Sequence, residues 1–351
     1  MQILRFKNPV IFLLLILVSS SSCLVETVKE PKNQIVTIFS DCLKKKDIKL
    51  FKSFSKKEHI LVKIVYLPTR KILYKLKKES YNTDADIIIL KSTYDMFKAQ
   101  KGDLLQAVNS EKANEIIDIN YRSKTKTWFG IGIDPYVFVA KNDSLNKLTE
   151  FSELFKKSNI DKWSTNFEKT TDIVPMISAL LQRKKRIELK EWYQEFINNQ
   201  HSQLIKVNKK KIPIITANIL LTNYSTYAAM IEKKDSLNSK FKMTFSNQKK
   251  IGAFYNLHCI GIVKQARNFE NAKLLLEYVA SSQINEKLNN CWNTFPIQYH
   301  VRKHGFKYQN MYFKIYKGLI SKSTYNYSTL GNIVKKTYKK EVIIEEPIVA
   351  E

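Results

Sequence analysis

Two tyrosines three residues apart, Tyr224 and Tyr227 in TNYSTYAA (222–229), are residues whose type and spacing suit chemistry. Side chains at i and i+3 share one helix face. A phenol there can lose its proton and become a charged oxygen ligand of the kind a hard cation favours. A helix N-terminus lends partial positive charge that stabilises such a phenolate, or any anion. The same spacing equally suits two rings packed into a core. Both readings stay open: the mouth of a metal- or anion-binding cleft, or an ordinary helix start.

Other chemistries lack their motifs. The histidines His59, His201 and His258 are scattered, and His300 and His304 stand four apart in HVRKH, but there is no HExxH, so a zinc enzyme is unsupported. There is no GxSxG, P-loop or GxGxxG, which removes the hydrolase, ATPase and dinucleotide readings. Cys42, Cys259 and Cys291 have no paired CxxC spacing, and which of them pair, if any, stays open. His258, beside Leu257 and Cys259, reads as a buried, hydrogen-bonded histidine and not as a ligand. No catalytic residue is assigned, and no organic cofactor is expected.

The elements that must position the tyrosines alternate. IVTIF (35–39), LVKIVYL (61–67) and ADIIIL (85–90) read as strands, separated by helical patterns at 46–54 and over RKILYKLKKES, with Pro68 in the first turn of the latter. STYDMFKAQ reads as a helix stopped by Gly102. Such alternation predicts a parallel sheet built from crossover units. TWFGIGIDPYVFVAKND (127–143) and KKIGAFYNLHCIGIVKQA (249–266) read as two long extended stretches. Between them lie three helical segments, SLNKLTEFSELFKKS, DIVPMISALLQRK and LKEWYQEFINNQ, and a strand, IPIITANILL (212–221). ENAKLLLEYVASSQINEKL reads as one amphipathic helix. A chain that crosses to a second lobe at the first stretch and returns at the second places a cleft between two sheets. Open α/β sheets bind ligands at the carboxyl ends of their strands.

The ends and the charge bound the setting. Arg5 and Lys7 precede an apolar run, Val10 to Val18, and four serines lead into Cys23, the order of an export signal. The run is shorter than the ~20 residues that span a bilayer. Cys23 after the serines resembles a lipobox cysteine, although Ser20 stands where the usual leucine belongs. The expected layout is a signal peptide (1–22), a lipid-anchor tether (23–34), lobe 1 (35–135 plus 262–337), lobe 2 (136–261) and a charged tail (338–351). The net charge is +27 over 351 residues, but the lysines are dispersed, whereas nucleic-acid readers gather charge on one face. Nucleic acid is therefore not an expected partner.

The ordered landmarks resemble the iron(III)-type solute-binding proteins of bacterial ABC importers. In "FSNQKKIGAFYNLHCIGIVKQARNFENAKLLLEYVAS" (245–281), Asn247, Gln248, Gly252, Asn256, Gly261, Ala266, Asn268, Glu270, Asn271 and Ala272 fall in that family's order without a gap. ADIIIL, GDLLQAVNS (102–110), TWFG (127–130) and NTFPI (293–297) match further landmarks. The resemblance covers about residues 35 to 300. It implies a two-lobed α/β fold of two mixed sheets flanked by helices, closing on a ligand in the interlobe cleft, with Fe3+ as a possible ligand. It also implies an ABC permease and ATPase as partners, and an exported, monomeric protein.

The resemblance also exposes departures. The family's adjacent tyrosine pair follows an asparagine that matches Asn223, but Ser225 and Thr226 occupy the pair's positions, with Tyr224 and Tyr227 one step to either side. Where the iron binders have a histidine and a tyrosine after the first strand, Leu43 and Lys44 stand. A lysine there repels a bare cation and attracts an anion. Asp134 and Tyr136 lie near the first crossover, and Tyr94 and Asp95 follow the third strand. The candidate ligand residues are therefore Tyr224, Tyr227, Tyr136, Tyr94, Asp134, Ser225, Thr226 and Lys44, with Cys23 as the lipid attachment. Ferric iron or a ferric complex leads. An anionic solute, or a degenerate scaffold serving as an envelope interaction or sensory lipoprotein, are the alternatives.

Overall fold

The computed structural model describes residues 34–141, 150–151, 163–166, 170–181, 219–232, 241–298, 313–318, 327 and 330. All but residues 150–151 of the expected helix at 144–158, all of that at 189–200, and most of the expected strand 212–221 lie outside these residues, as do the expected leader, Cys23 and the tail. Among the described residues no helix is long and apolar enough to cross a membrane.

The first strands are β1 (Gln34–Ser40), β2 (Ile60–Tyr66) and β3 (Ile87–Leu90); the long β4 (Phe129–Lys141) follows, then β5 (Trp163–Asn166), β6 (Ile219–Asn223), β7 (Phe241–Phe245) and β8 (Tyr255–Ile262). The helices are α1 (Lys52–Glu58), α2 (Thr69–Glu79), α3 (Thr93–Lys101), α4 (Glu111–Ile116), α5 (Val174–Leu181), α6 (Tyr224–Glu232), α7 (Phe269–Ala280) and α8 (Ser282–Trp292). The strand order is β2-β1-β3-β8-β4-β6-β5, with β7 also on β4. As the alternation implied, β1 runs parallel to both β2 and β3. The sheet as a whole is mixed, because β8 returns antiparallel between β3 and β4.

The thirteen-residue β4 joins the two halves of the molecule. Its residues up to Pro135 pair with β8, whereas Tyr136 to Lys141 pair with β6 and β7. Proline has no N–H to give a ladder, and Pro135 sits at the exchange of partners; the next N–H, that of Tyr136, donates to the Phe254 carbonyl at 2.9 Å. Two apolar clusters lie on the elements that β4 connects. One gathers Val36, Ile38, Trp128, Leu257 and the buried face of α7. The other gathers Tyr94, Tyr136, Phe138, Phe254 and α5.

A register shift between Gly130 and Gly132 bends β4. The amides of Asn285 and Asn289, both fully buried, donate to the Ile131 carbonyl at 2.7 and 2.8 Å and supply the partner the ladder lacks there. A Cβ on Gly132 would collide with the Asn289 amide oxygen.

Three local expectations are corrected. Pro68 precedes α2 as its N-cap instead of lying in the first turn. The single amphipathic helix is two, α7 and α8, because Ser281 adopts an extended ψ of 145° and begins a new helix. The extended reading of 249–266 holds only from Tyr255, since residues 246–251 form a turn.

Candidate functional site

Where β3 ends, Lys91 and Ser92 lead straight into α3. The Ser92 hydroxyl caps that helix, accepting from the Asp95 N–H at 3.4 Å. The Thr93 N–H and hydroxyl both donate to Asn256 Oδ1 at 3.0 Å. Asn256 Nδ2 donates to the Lys91 carbonyl at 2.7 Å, and the Leu257 N–H donates to Thr93 Oγ1 at 2.9 Å. One strand further on, Asp134 is the register partner of Asn256. Its carboxylate accepts the Ser225 N–H at 3.0 Å and the Ser225 hydroxyl at 2.6 Å.

Thr93, Asn256, Asp134 and Ser225 thus form one polar row across the crossing strands. The row ties the first turn of α3 to the first turn of α6. Helix first turns carry N–H groups without intrahelical partners and partial positive charge, so the row is flanked on both sides by anion-attracting backbone.

Among the described residues, few charges lie beside the row. Burial pushes the Asp134 carboxyl up to about 6, opposed by its hydrogen bonds from Ser225 and Asn223 and by the Lys91 charge. The backbone N–H of Lys91 donates to Asp41 Oδ1 at 3.0 Å, and Thr69 Oγ1 donates to Asp41 Oδ2 at 2.5 Å. Burial first, and then the Lys91 charge, hold His258 down to about 3. Its ring packs on Trp292 at 5.0 Å and is buried as expected, but the expected hydrogen bond is not seen at Nδ1, which has no partner among the described residues.

Of the candidate residues, the structure brings Asp134 and Ser225 together. Thr226 is half-buried in the same helix turn. Tyr224 is 1% exposed, its ring packed on Phe295 at 4.7 Å and stacked on Phe245 at 6.1 Å. Tyr227 joins the same apolar cluster, and burial raises its phenol. The face that the pair shares is therefore a core face in this conformation. Tyr136 is wholly buried and donates its hydroxyl to the Asp172 carbonyl at 2.5 Å; burial, before any charge, holds its phenol well above the ordinary value. Tyr94 packs 6.0 Å from Tyr327 with the Lys98 ammonium 5.0 Å from its ring, and burial ahead of the Asp95 charge raises it. Lys44 is exposed, and its backbone N–H donates to Asp47 Oδ2 at 2.8 Å.

No group of three or more histidine, cysteine, aspartate or glutamate side chains is gathered for a metal among the described residues. Cys42, Cys259 and Cys291 are free thiols. Sequence reading missed Thr93 and Lys91. Asn256 was visible only as a landmark, because its partners lie 163 to 165 residues away in the chain.

Fold and row together define a two-lobed periplasmic-binding-protein architecture, with polar groups and helix N-termini at the strand crossing. No family model matches the chain. Among curated proteins it is similar to iron uptake protein A1 of Synechocystis sp., 21% identical over 262 residues that cover 71% of this chain and 72% of the relative. Iron uptake protein A2 of the same organism is 22% identical over 67% of this chain and 71% of its own length. Among solved structures, the Trichodesmium protein IdiA (FutA) in complex with iron and citrate superposes with a TM-score of 0.77 at 22% identity, over 86% of this chain and 99% of that one. The ferric binding protein of Campylobacter jejuni superposes with a TM-score of 0.70 at 20% identity, over 86% and 99%. At these identities the structures establish the fold.

Proposed function

We propose that this chain is an exported solute-binding protein of an ABC importer that captures ferric iron as an anionic complex between its lobes. The lobes are residues 35–135 with 262–337, and 136–261. The hinges are the partner exchange at Pro135 and Tyr136 in β4 and the matching stretch of β8. The polar row from Thr93 to Ser225 carries this reading, since it fastens two helix N-termini beside the crossing strands. Carboxylates of a ferric chelate would be drawn by the partial positive charge of those helix ends, whose Thr93, Asp95 and Ser225 N–H groups are held by side chains, and closure would be selected because both lobes then contact the ligand. The relatives named for iron uptake, and the neighbour that holds iron with citrate, support iron as the cargo. Delivery to a permease and lipid anchoring at Cys23 complete the reading, and no bond need be made or broken.

A second reading, an anionic solute without iron, is favoured by one observation: Tyr94, Tyr136 and Tyr227 are all buried with phenols raised. A raised phenol resists the ionisation that a ferric ligand requires. Titrating the protein with ferric citrate, and in parallel with citrate alone, separates the two. Tight binding of the ferric complex with weak binding of citrate supports iron capture; equal binding of both supports the anion reading.

A further inference from the structure

Away from the row, α2 carries a different pattern. Arg70, Lys71, Tyr74, Lys77, Lys78 and Tyr81 recur at helical spacing along the helix and the turn after it, and all are exposed. Tyr74 is 65% exposed and Tyr81 77%, and the Lys78 ammonium lies 6.0 Å from the centre of the Tyr74 ring. The nearby acids are engaged: Glu79 pairs with Lys75 one turn earlier, and Asp84 lies 3.8 Å from Arg267. Cations interleaved with exposed rings on one helix face suit an anionic lipid surface. The cations attract headgroup phosphates, and the rings sit at headgroup depth.

The position of this face fits the same occupant. Because α2 runs back from the end of β2 to the start of β3, Tyr81 lies at the end of the sheet where β1 begins. Arg267 Nη2 donates to the Asn82 carbonyl at 3.4 Å, and Asn268 Nδ2 donates to the Ile35 carbonyl at 3.1 Å, which closes that end around the entry of the chain. Ile35 and Leu61, register partners there, are 43% and 47% exposed. The segment that bears the apolar run and Cys23 joins the fold at this end. From Cys23 to Gln34 the chain reaches at most about 40 Å, so an anchor at Cys23 would hold this end within that distance of its membrane.

We propose that the face of α2, with Ile35 and Leu61, docks on an anionic lipid surface and so orients the protein at the membrane. The proposal rests on the reading that the chain works in the cell envelope, and not on the identity of its ligand.

The test is co-sedimentation of the polypeptide 24–351, which has no lipid and retains every described element. It is mixed with vesicles of phosphatidylcholine alone or with phosphatidylglycerol added. Three variants run beside it: Lys77→Glu with Lys78→Glu; Tyr74→Ser with Tyr81→Ser; and a charge-matched control, Lys45→Glu with Lys46→Glu, at the opposite end of β1. Circular dichroism and ferric-citrate binding confirm that each variant is folded and separate this question from that of the ligand. The expected result is salt-sensitive binding to the anionic vesicles only, about thirtyfold weaker in the lysine variant. The tyrosine variant should be weaker too, and the control should lose less than half as much affinity as the lysine variant. Equal loss in control and lysine variant would mean that the overall positive charge is responsible and would overturn the proposal. So would the absence of binding to either vesicle.

Discussion

Ser225 spends both of its donors on one carboxylate: its N–H and its hydroxyl reach the two oxygens of Asp134 at 3.0 and 2.6 Å. The first turn of α6 is thereby fixed to the strand that links the two halves of the fold. Truncating Ser225→Ala removes the hydroxyl bond to a charged acceptor, so a loss of about 1.5–3 kcal/mol is expected in urea denaturation. Ser225→Thr should recover most of it. An unchanged midpoint in the alanine variant would mean that the bond carries no stability.

Asp134 and His258 should pull stability in opposite directions with pH. Folding raises the Asp134 carboxyl from 3.8 to about 6. The folded state therefore binds more protons in that window, and stability falls as pH rises through it. Folding lowers His258 from 6.5 to about 3. There the unfolded state binds more protons, and stability falls as pH drops from 6.5 toward 3. Each slope is at most about 1.4 kcal/mol per pH unit, so between pH 4 and 6 the two largely cancel. Asp134→Asn should unmask a loss of stability on acidification, and His258→Phe a gain. Denaturation midpoints of both variants at pH 4, 5, 6 and 7 check this, and parallel curves would contradict it.

Asn256 supplies the central link of the row, with bonds to Thr93 and Lys91. Asn256→Ala leaves the Thr93 donors without that acceptor in a buried setting. A cost of about 2–4 kcal/mol is expected, together with faster amide exchange at Thr93. Exchange as slow as in the parent would show that another acceptor replaces it.

Gly132→Ala is expected to destabilise by about 1–3 kcal/mol, since the new methyl group meets the Asn289 amide that satisfies the bulged Ile131 carbonyl. A paired Gly132→Ala, Asn289→Ala variant should lose less than the sum of the two single changes. Simple additivity would count against the contact.

Much of the scaffold was legible in local pattern. The apolar runs at β1 and β3 and the alternation with α2 and α3 announced the parallel strands, because burial on both faces of a strand leaves a continuous apolar run. The return of β8 between β3 and β4 was not legible, since strand order is decided by contacts far apart in sequence. The break at Ser281 escaped for a different reason: apolar spacing continues across it, and only the backbone turns. At the site, Asp134 and Ser225 were named as separate candidates, whereas their bond spans 91 residues. Spacing placed Tyr224 and Tyr227 on one face but could not say that Phe245 and Phe295 would cover it.

Calorimetric titration of the polypeptide 24–351 with ferric citrate is the measurement on which capture of a ferric complex stands or falls. Visible absorption is followed in the same samples, with Tyr224→Phe, Tyr227→Phe and Asp134→Ala beside the parent. Saturable binding of the ferric complex is expected, at least about tenfold tighter than that of citrate alone and weakened in Asp134→Ala. A visible tyrosinate-to-iron band that fades in one tyrosine variant would add that tyrosine as a ligand after closure. Binding no tighter than that of citrate alone, or no binding at all, would contradict iron capture by this chain.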